Sequence, residues 1–328
     1  MRLEPLRIRH FEDLLLKIYT IGYPGMGESI VLLLCNGGDV LFTVLTDCYC
    51  QSTSGEFYNH LETLFVRHGI KKIDAFIWTH PDKDHSMDIE RMLTRYDSDH
   101  TAEIFIPNGL VHGRDSYCEE ARQAVEYIYE HYSSKGSRTE KRHIHTVSTE
   151  NKEVRNLLCV DIFADDMLKP ITCKFRFVLP NTEHCAHAEY WDMELKPNLM
   201  SIVYSVELNG RNYVFTGDLV DAGTKKMGSE ILTRMNYLKI PHHGSDQSNE
   251  FLTLIRQQKF NHLISTVTRF NPKGDPKDPV ICAYSDFGTV YFITDKTIEK
   301  SGCIETVVDV ANDYCKTKCE GNASVYYK

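Results

Sequence analysis

Short apolar runs of β type alternate with amphipathic helical stretches in both halves of the chain, and this alternation restricts the fold more than any other feature. Runs at 14–21, 29–35 and 40–46 are divided by Gly22-Tyr23-Pro24-Gly25-Met26-Gly27 and by Asn36-Gly37-Gly38-Asp39. Both dividers are turn chemistry, so the chain is expected to open as an antiparallel meander. From Gly55 onward, Phe57, Leu61, Leu64, Phe65 and His68 recur at helical spacing and stop at Gly69, before a buried strand at 73–78. Met87, Ile89, Met92 and Leu93 predict a helix over 84–96; a brief strand at 104–106 and a helix over 117–132 follow. Residues 133–155 are polar and of mixed charge, and they predict an excursion around the core near 133–170. Strands at 175–179 and 201–208 lead through Asn209-Gly210 to a strand at 213–216. A helix near 225–235, a strand at 237–240, a helix near 248–257 and a strand at 262–267 continue the pattern. The expectation is one α/β domain over residues 1–328, with two mixed sheets faced by helices on the outside.

Length and composition remove several classes. A chain of 328 residues with 42% hydrophobic residues has ample material for a core. Its longest apolar runs, such as 30–35, fall far short of the roughly 20 residues that span a bilayer, so no membrane association is expected. The first ten residues carry Arg2, Glu4, Arg7, Arg9 and His10 and no apolar leader segment. Eleven cysteines form no paired C-x-x-C knuckles, which predicts reduced thiols and a cytoplasmic setting. A net charge of -9 argues against a surface that coats nucleic acid, yet it suits an enzyme that collects carboxylates around cations.

The chemistry-bearing residues fall at strand ends. Thr79-His80-Pro81-Asp82-Lys83-Asp84-His85 places four potential ligands at a strand-to-helix junction: His80 and Asp82 can point together, while Asp84 and His85 face a second position. The plainer alternative is that Asp84 only caps a helix. Thr216-Gly217-Asp218 brings a carboxylate out of a strand through a glycine turn, and Ile240-Pro241-His242-His243-Gly244-Ser245 ends another strand with adjacent histidines.

That ordered set resembles the metallo-β-lactamase superfamily and, within it, the hydrolase domain of ComEC-type DNA-uptake proteins. The pattern there is G-x-G-D-S, H-x-D-x-D-H, T-G-D and P-H-H-G-S. Here it stands as Gly25-Met26-Gly27-Glu28-Ser29, His80 to His85, Thr216-Gly217-Asp218 and Pro241 to Ser245, within about residues 14 to 293. The resemblance implies an αβ/βα sandwich with a dinuclear site at one sheet edge. It implies His80 and Asp82 on a first divalent ion, Asp84 and His85 on a second, Asp218 bridging them, and one of His242 and His243 as a further ligand. The other histidine would sit beside the substrate's leaving group. Asn198, preceding the strand at 201–208, is favoured over His184 and His187 as an additional ligand. Three departures stand out: Glu28 replaces an aspartate, Ser86-Met87 replaces an Ile-Gly-Gly run, and Asn271-Pro272-Lys273-Gly274-Asp275-Pro276 puts Asp275 where a histidine is usual. The membrane part of the competence proteins has no counterpart, so only hydrolysis carries over.

Two divalent ions, Zn or Mn, are therefore expected, with the oxygen of Asp82 tilting the choice towards manganese or mixed occupancy. Such ions can activate a shared water for in-line attack on phosphorus. The leading expectation is a phosphodiesterase or nuclease acting on nucleic acid or a nucleotide, with Asp84, His242 and His243 at the chemistry and Lys83, Ser245 and Arg269 as anion contacts. An amide, lactone or thioester hydrolase on the same scaffold is the second reading, and a binding module with a structural metal is the third.

Overall fold

Gly37 and Gly38 form a two-residue turn, Gly37 taking a positive φ of 58° that suits a glycine, and the strands on either side pair antiparallel as expected. The computed structural model describes residues 1–23, 26–49, 51–53, 56–58, 60–110, 117–133, 143–190, 197–269, 274–294 and 301–327. In chain order, β1 (Leu6–Ile8), β2 (Leu14–Tyr23), β3 (Met26–Asn36), β4 (Asp39–Thr46), the ribbon β5 (Gln51–Thr53) and β6 (Glu56–Tyr58), and α1 (His60–Arg67) come first. They are followed by β7 (Ala75–Ile77), α2 (Lys83–Ser86), α3 (Ile89–Tyr96), β8 (Glu103–Pro107), α4 (Glu119–Tyr132) and β9 (Ile144–Val147). The second half holds β10 (Arg155–Ala164), β11 (Ile171–Leu179), α5 (Thr182–Tyr190), β12 (Val203–Leu208), β13 (Arg211–Phe215), α6 (Asp221–Thr224) and β14 (Met235–Lys239). It closes with α7 (Asn249–Arg256), β15 (Leu263–Val267), α8 (Asp278–Ser285), β16 (Gly288–Phe292), β17 (Gly302–Asp309), β18 (Tyr314–Gly321) and β19 (Ser324–Val325).

Two mixed sheets result. One has the order β18-β17-β2-β3-β4-β7-β8-β9 and the other β1-β10-β11-β12-β13-β14-β15-β16-β19. Between them lies an apolar layer in which Leu16, Ile18, Leu32, Val44, Ile77 and Phe105 meet Val160, Phe175, Phe177, Tyr204, Phe215 and Tyr237. Each such side chain contributes about 1.5–3 kcal/mol when fully buried. Helices α1, α3 and α4 cover the outer face of the first sheet through Leu61, Phe65, Met92, Leu93, Val125 and Ile128. Helices α7 and α8 cover the second through Phe251, Ile255, Ile281 and Tyr284. This is an αβ/βα sandwich, the architecture the alternation predicted. Among the described residues, no helix is long and apolar enough to cross a membrane.

Several local expectations are corrected. The helix expected over 84–96 is broken, because Asp88 adopts a left-handed conformation (φ 72°) between α2 and α3. The residues following Gly55 enter β6 before α1 begins at His60; Phe57's side chain lies outside the described residues. No helix spans 225–235; the single turn α6 ends at Thr224, and a 3-10 turn over Ser229–Leu232 and the start of β14 at Met235 fall within that stretch. The expected excursion near 133–170 contributes β9 and β10, each paired in a sheet, while 134–142 lie outside the described residues. In β10 Leu158, Val160, Ile162 and Ala164 are buried, while Leu157, Cys159, Asp161 and Phe163 lie on the more exposed face, so the strand is largely apolar and the polar character of the stretch stops at its first residues. The divider at 22–27 shrinks to the tip of the hairpin, since β2 runs to Tyr23 and β3 starts at Met26; Pro24 and Gly25 lie outside the described residues.

What matters for the site is direction. β4, β7 and β8 run parallel in one sheet, as do β13, β14, β15 and β16 in the other. The segments that follow β4, β7, β13 and β14 come together at a common edge, as the contacts between them below show.

Candidate metal centre

The second sheet delivers Asp218 and His243. Gly217, between β13 and Asp218, has φ 49°, and a Cβ there would lie 2.4 Å from Ser201 Oγ, so glycine is required for this turn. Ser201 Oγ accepts a bond from Asp218 N at 2.9 Å, which fixes the carboxylate's backbone. After β14, His242, His243 and Gly244 are three successive residues with positive φ (46°, 53° and 73°). Two non-glycine residues in that region carry strain, and the turn is pinned by His242 N donating to Gly217 O at 3.2 Å and Lys277 N donating to Gly244 O at 3.1 Å.

The first sheet delivers the others. β7 leads to Thr79-His80, and α2 then presents Asp84 and His85. Asp84, His85, Asp218 and His243 offer ligand atoms that all lie within 4.8 Å of one another. His243 Nε2 is 3.3 Å from Asp84 Oδ2 and 3.5 Å from Asp218 Oδ2, while His85 Nε2 is 3.7 Å from Asp84 Oδ2 and 3.5 Å from Asp218 Oδ1. Thus Asp218 turns one oxygen to each histidine. His80 lies alongside, its ring centroid 4.2 Å from that of His85 and its Nε2 3.5 Å from Asp82 Oδ2. His80, His85 and His243 are buried, whereas the Asp82 side chain is 38% exposed.

Electrostatics couple the four. Burial opposes ionisation of Asp84, but His85 and a hydrogen bond with His243 overcome it and hold the carboxyl below its ordinary range. Asp218 is likewise depressed against burial, by His243 and His85. Burial disfavours charge on His243, yet Asp218, Asp84 and Glu28 push it up to about 10. His85 is raised against burial by Asp47, Asp84 and Asp218.

This donor set fits a divalent cation. Two imidazoles and two carboxylates converge in a buried space, and His80 Nε2, His85 Nε2 and Asp218 Oδ1 are buried without a hydrogen-bond partner. Such atoms are costly unless something else satisfies them.

The remaining expected residues separate into neighbours and outliers. Asn198 reaches the cluster through His242: its Nδ2 is 3.2 Å from His242 Nε2, and His242 Nε2 is 4.0 Å from Asp218 Oδ2. The two form a polar pair flanking the cluster. Ser245 is buried beside them, its N donating to His242 O at 2.9 Å and its Oγ accepting from Gln247 N at 3.3 Å. Arg269 follows β15; its guanidinium lies 4.2 Å over the ring of Phe292. Lys83 points elsewhere: its Nζ is 2.7 Å from Glu120 and its side chain is 52% exposed. His184 stands on α5; the side chain of His187 and residues 271–273 lie outside the described residues. Asp275 is buried, with Oδ1 3.3 Å from Lys277 Nζ.

Asp47 was not singled out by the motifs, yet it orients the site. Directly after β4, its Oδ1 accepts from Thr79 N at 2.7 Å, and its Oδ2 accepts from Thr79 Oγ1 at 2.6 Å and lies 2.7 Å from His85 Nδ1. With Nδ1–H committed to Asp47, Nε2 is the nitrogen His85 turns to the cluster, and it would become a ligand once a cation displaced its proton. The signal was available: Asp47 ends a buried strand, as Asp218 does. No family model and no curated protein matches this chain.

Proposed function

We propose that this protein is a metal-dependent hydrolase of phosphodiesters, a nuclease or phosphodiesterase acting on nucleic acid or a nucleotide, related in its site to the metallo-β-lactamase superfamily and to the ComEC-type hydrolase domain. The observation that carries this reading is the convergence of Asp84, His85, Asp218 and His243 across two sheets, with ligand atoms within 4.8 Å of one another. The shared motif order and the sandwich fold support it.

In this reading Asp84, His85 and His243 would hold one divalent ion, His80 and Asp82 would hold a second, and Asp218 would contribute to either. When bound, such ions lower the pKa of water towards neutrality and neutralise anionic oxygens. Asp47 keeps His85 in the ligating tautomer. His242, which meets Asn198 beside the cluster, would in this reading give a proton to the leaving oxygen. Ser245 and Arg269, at the ends of neighbouring strands, are the anion contacts of this reading; Lys83, engaged with Glu120, has a lesser claim. The described cysteines are free, in keeping with a reducing, cytoplasmic setting.

The test is a substrate panel. Purified protein with Zn or Mn is offered single-stranded DNA, RNA, bis-p-nitrophenyl phosphate, nitrocefin and a thioester, beside an Asp84→Ala control. Phosphodiester turnover by the wild type alone supports the proposal. Turnover confined to nitrocefin or the thioester moves the protein to acyl chemistry, and bound metal with no turnover at all makes it a binding module.

A further inference from the structure

The ligand cluster is assembled from two sheets that meet at this edge through an apolar layer and through two polar contacts, Ile202 N donating to Thr79 O at 2.9 Å and Thr46 Oγ1 lying 2.6 Å from Tyr204 OH. Asp84 and His85 belong to the first sheet's side, Asp218 and His243 to the second's. Hydrophobic contact is non-directional and does not by itself set a separation, whereas ligation tolerates only about ±0.2 Å in distance. Those two contacts hold the side of the cluster that carries His80, and neither reaches the turn that carries His243.

Beneath the cluster lies a buried ion pair that crosses between the sheets. Glu28, on β3, places Oε1 2.8 Å from Nζ of Lys239, the last residue of β14, with the Lys239 side chain 0% exposed and that of Glu28 2% exposed. Lys239 Nζ also donates to Ile240 O at 3.2 Å, and Thr268 Oγ1, just beyond β15, donates to Glu28 Oε2 at 2.5 Å. Removing two ions from water costs several kcal/mol each, so packed apolar residues would serve stability as well or better. What an ion pair adds is a fixed length and direction. Lys239 ends β14 three residues before the strained left-handed turn at His242, His243 and Gly244, and Glu28 lies within the field of both His243 and His85.

We propose that Glu28, Lys239 and Thr268 are positioning residues: a polar tether that fixes the spacing of the two sheets so that His243 meets Asp84 and Asp218 at ligating distance. This rests on the metal-centre reading above. It assigns Glu28 a role through Lys239 and the turn, with no contact to substrate or metal.

The experiment measures Zn and Mn affinity by competition with a chromophoric chelator, alongside thermal melts of the chelator-treated proteins. The double variant Glu28→Gln/Lys239→Met removes both charges together at similar volume. It is expected to melt close to wild type and to bind metal about 10- to 100-fold more weakly, the range seen when outer partners of ligands are lost. Thr268→Val, which keeps the ion pair and removes one hydrogen bond, is expected to weaken binding about 3- to 10-fold, a smaller share of the same effect. Affinity within about twofold of wild type in a folded double variant overturns the tether. So does a double variant that fails to fold while Thr268→Val binds normally, since the network is then structural only. Wild type that takes up neither metal instead removes the metal-centre reading itself.

Discussion

Replacing Asp47 with asparagine tests whether His85 is held in the tautomer that a metal requires. The carboxylate accepts from Thr79 N at 2.7 Å and Thr79 Oγ1 at 2.6 Å and faces His85 Nδ1 at 2.7 Å. Asparagine has one acceptor oxygen; if that serves Thr79 N, its NH2 confronts His85 Nδ1. Two donors cannot share the contact, so His85 turns to the tautomer with its proton on Nε2. That nitrogen faces Asp84 and Asp218 at 3.7 and 3.5 Å, and once protonated it cannot ligate. Returning the proton to Nδ1 leaves a buried donor against a donor, a penalty of about 1–3 kcal/mol. At about 1.4 kcal/mol per tenfold, that is roughly a 5- to 150-fold loss of metal affinity. The assay is chelator competition with Zn or Mn on Asp47→Asn, with melts in excess chelator as the control for folding. A folded variant whose affinity stays within about twofold of wild type refutes the reasoning. Asp47→Ala strips all three contacts and is expected to destabilise the metal-free protein as well, by about 3 kcal/mol or more.

Gly217→Ala must hold a side chain at φ 49° with Cβ 2.4 Å from Ser201 Oγ, and urea unfolding is expected to register a loss of about 2–4 kcal/mol. Metal binding should tighten as pH rises: in the metal-free protein His243 is pushed up from 6.5 to about 10, so a cation has to displace its proton. The expected gain is about tenfold in affinity per pH unit for each proton displaced, read by competition titrations at several pH values, and a flat profile contradicts it. In chelator the sign reverses. The stability that His243 supplies is complete below about 6.5 and is lost as pH rises through about 10, while that from Asp84 and Asp218 is present above 3.8 and is lost as pH falls through their depressed values; melts across the pH range check both limbs. Finally, His243→Ala should lose metal, whereas His242→Ala should retain it and lower kcat by about 10²- to 10⁴-fold; equal metal loss in both would remove the proton-donor role of His242.

Local chemistry was legible in the sequence because it depends on near neighbours. The alternation of runs and helices predicted the sandwich, Asn36 to Asp39 predicted the hairpin of β3 and β4, and His80 to His85, Thr216 to Asp218 and Pro241 to Ser245 each marked a strand end where ligands can gather. Partnerships made across the fold were not legible. β17 and β18 join the first sheet beside β2, some 280 residues away in the chain, and β18 alternates lysines and cysteines with no apolar face to announce a strand. Asp47 pairs with His85 and Glu28 with Lys239 only because separate strands finish at one edge; His85 and Glu28 stood out within their motifs but their partners did not, although a lone lysine amid Tyr237, Leu238 and Ile240 hints at a buried partner. The sequence determined which side chains can bind a cation and which turns present them, since propensity, periodicity and turn chemistry act over a few residues. Tertiary structure alone decided that His243 joins Asp84 while His242 turns to Asn198, because sheet register and the packing between layers, not local spacing, set those distances.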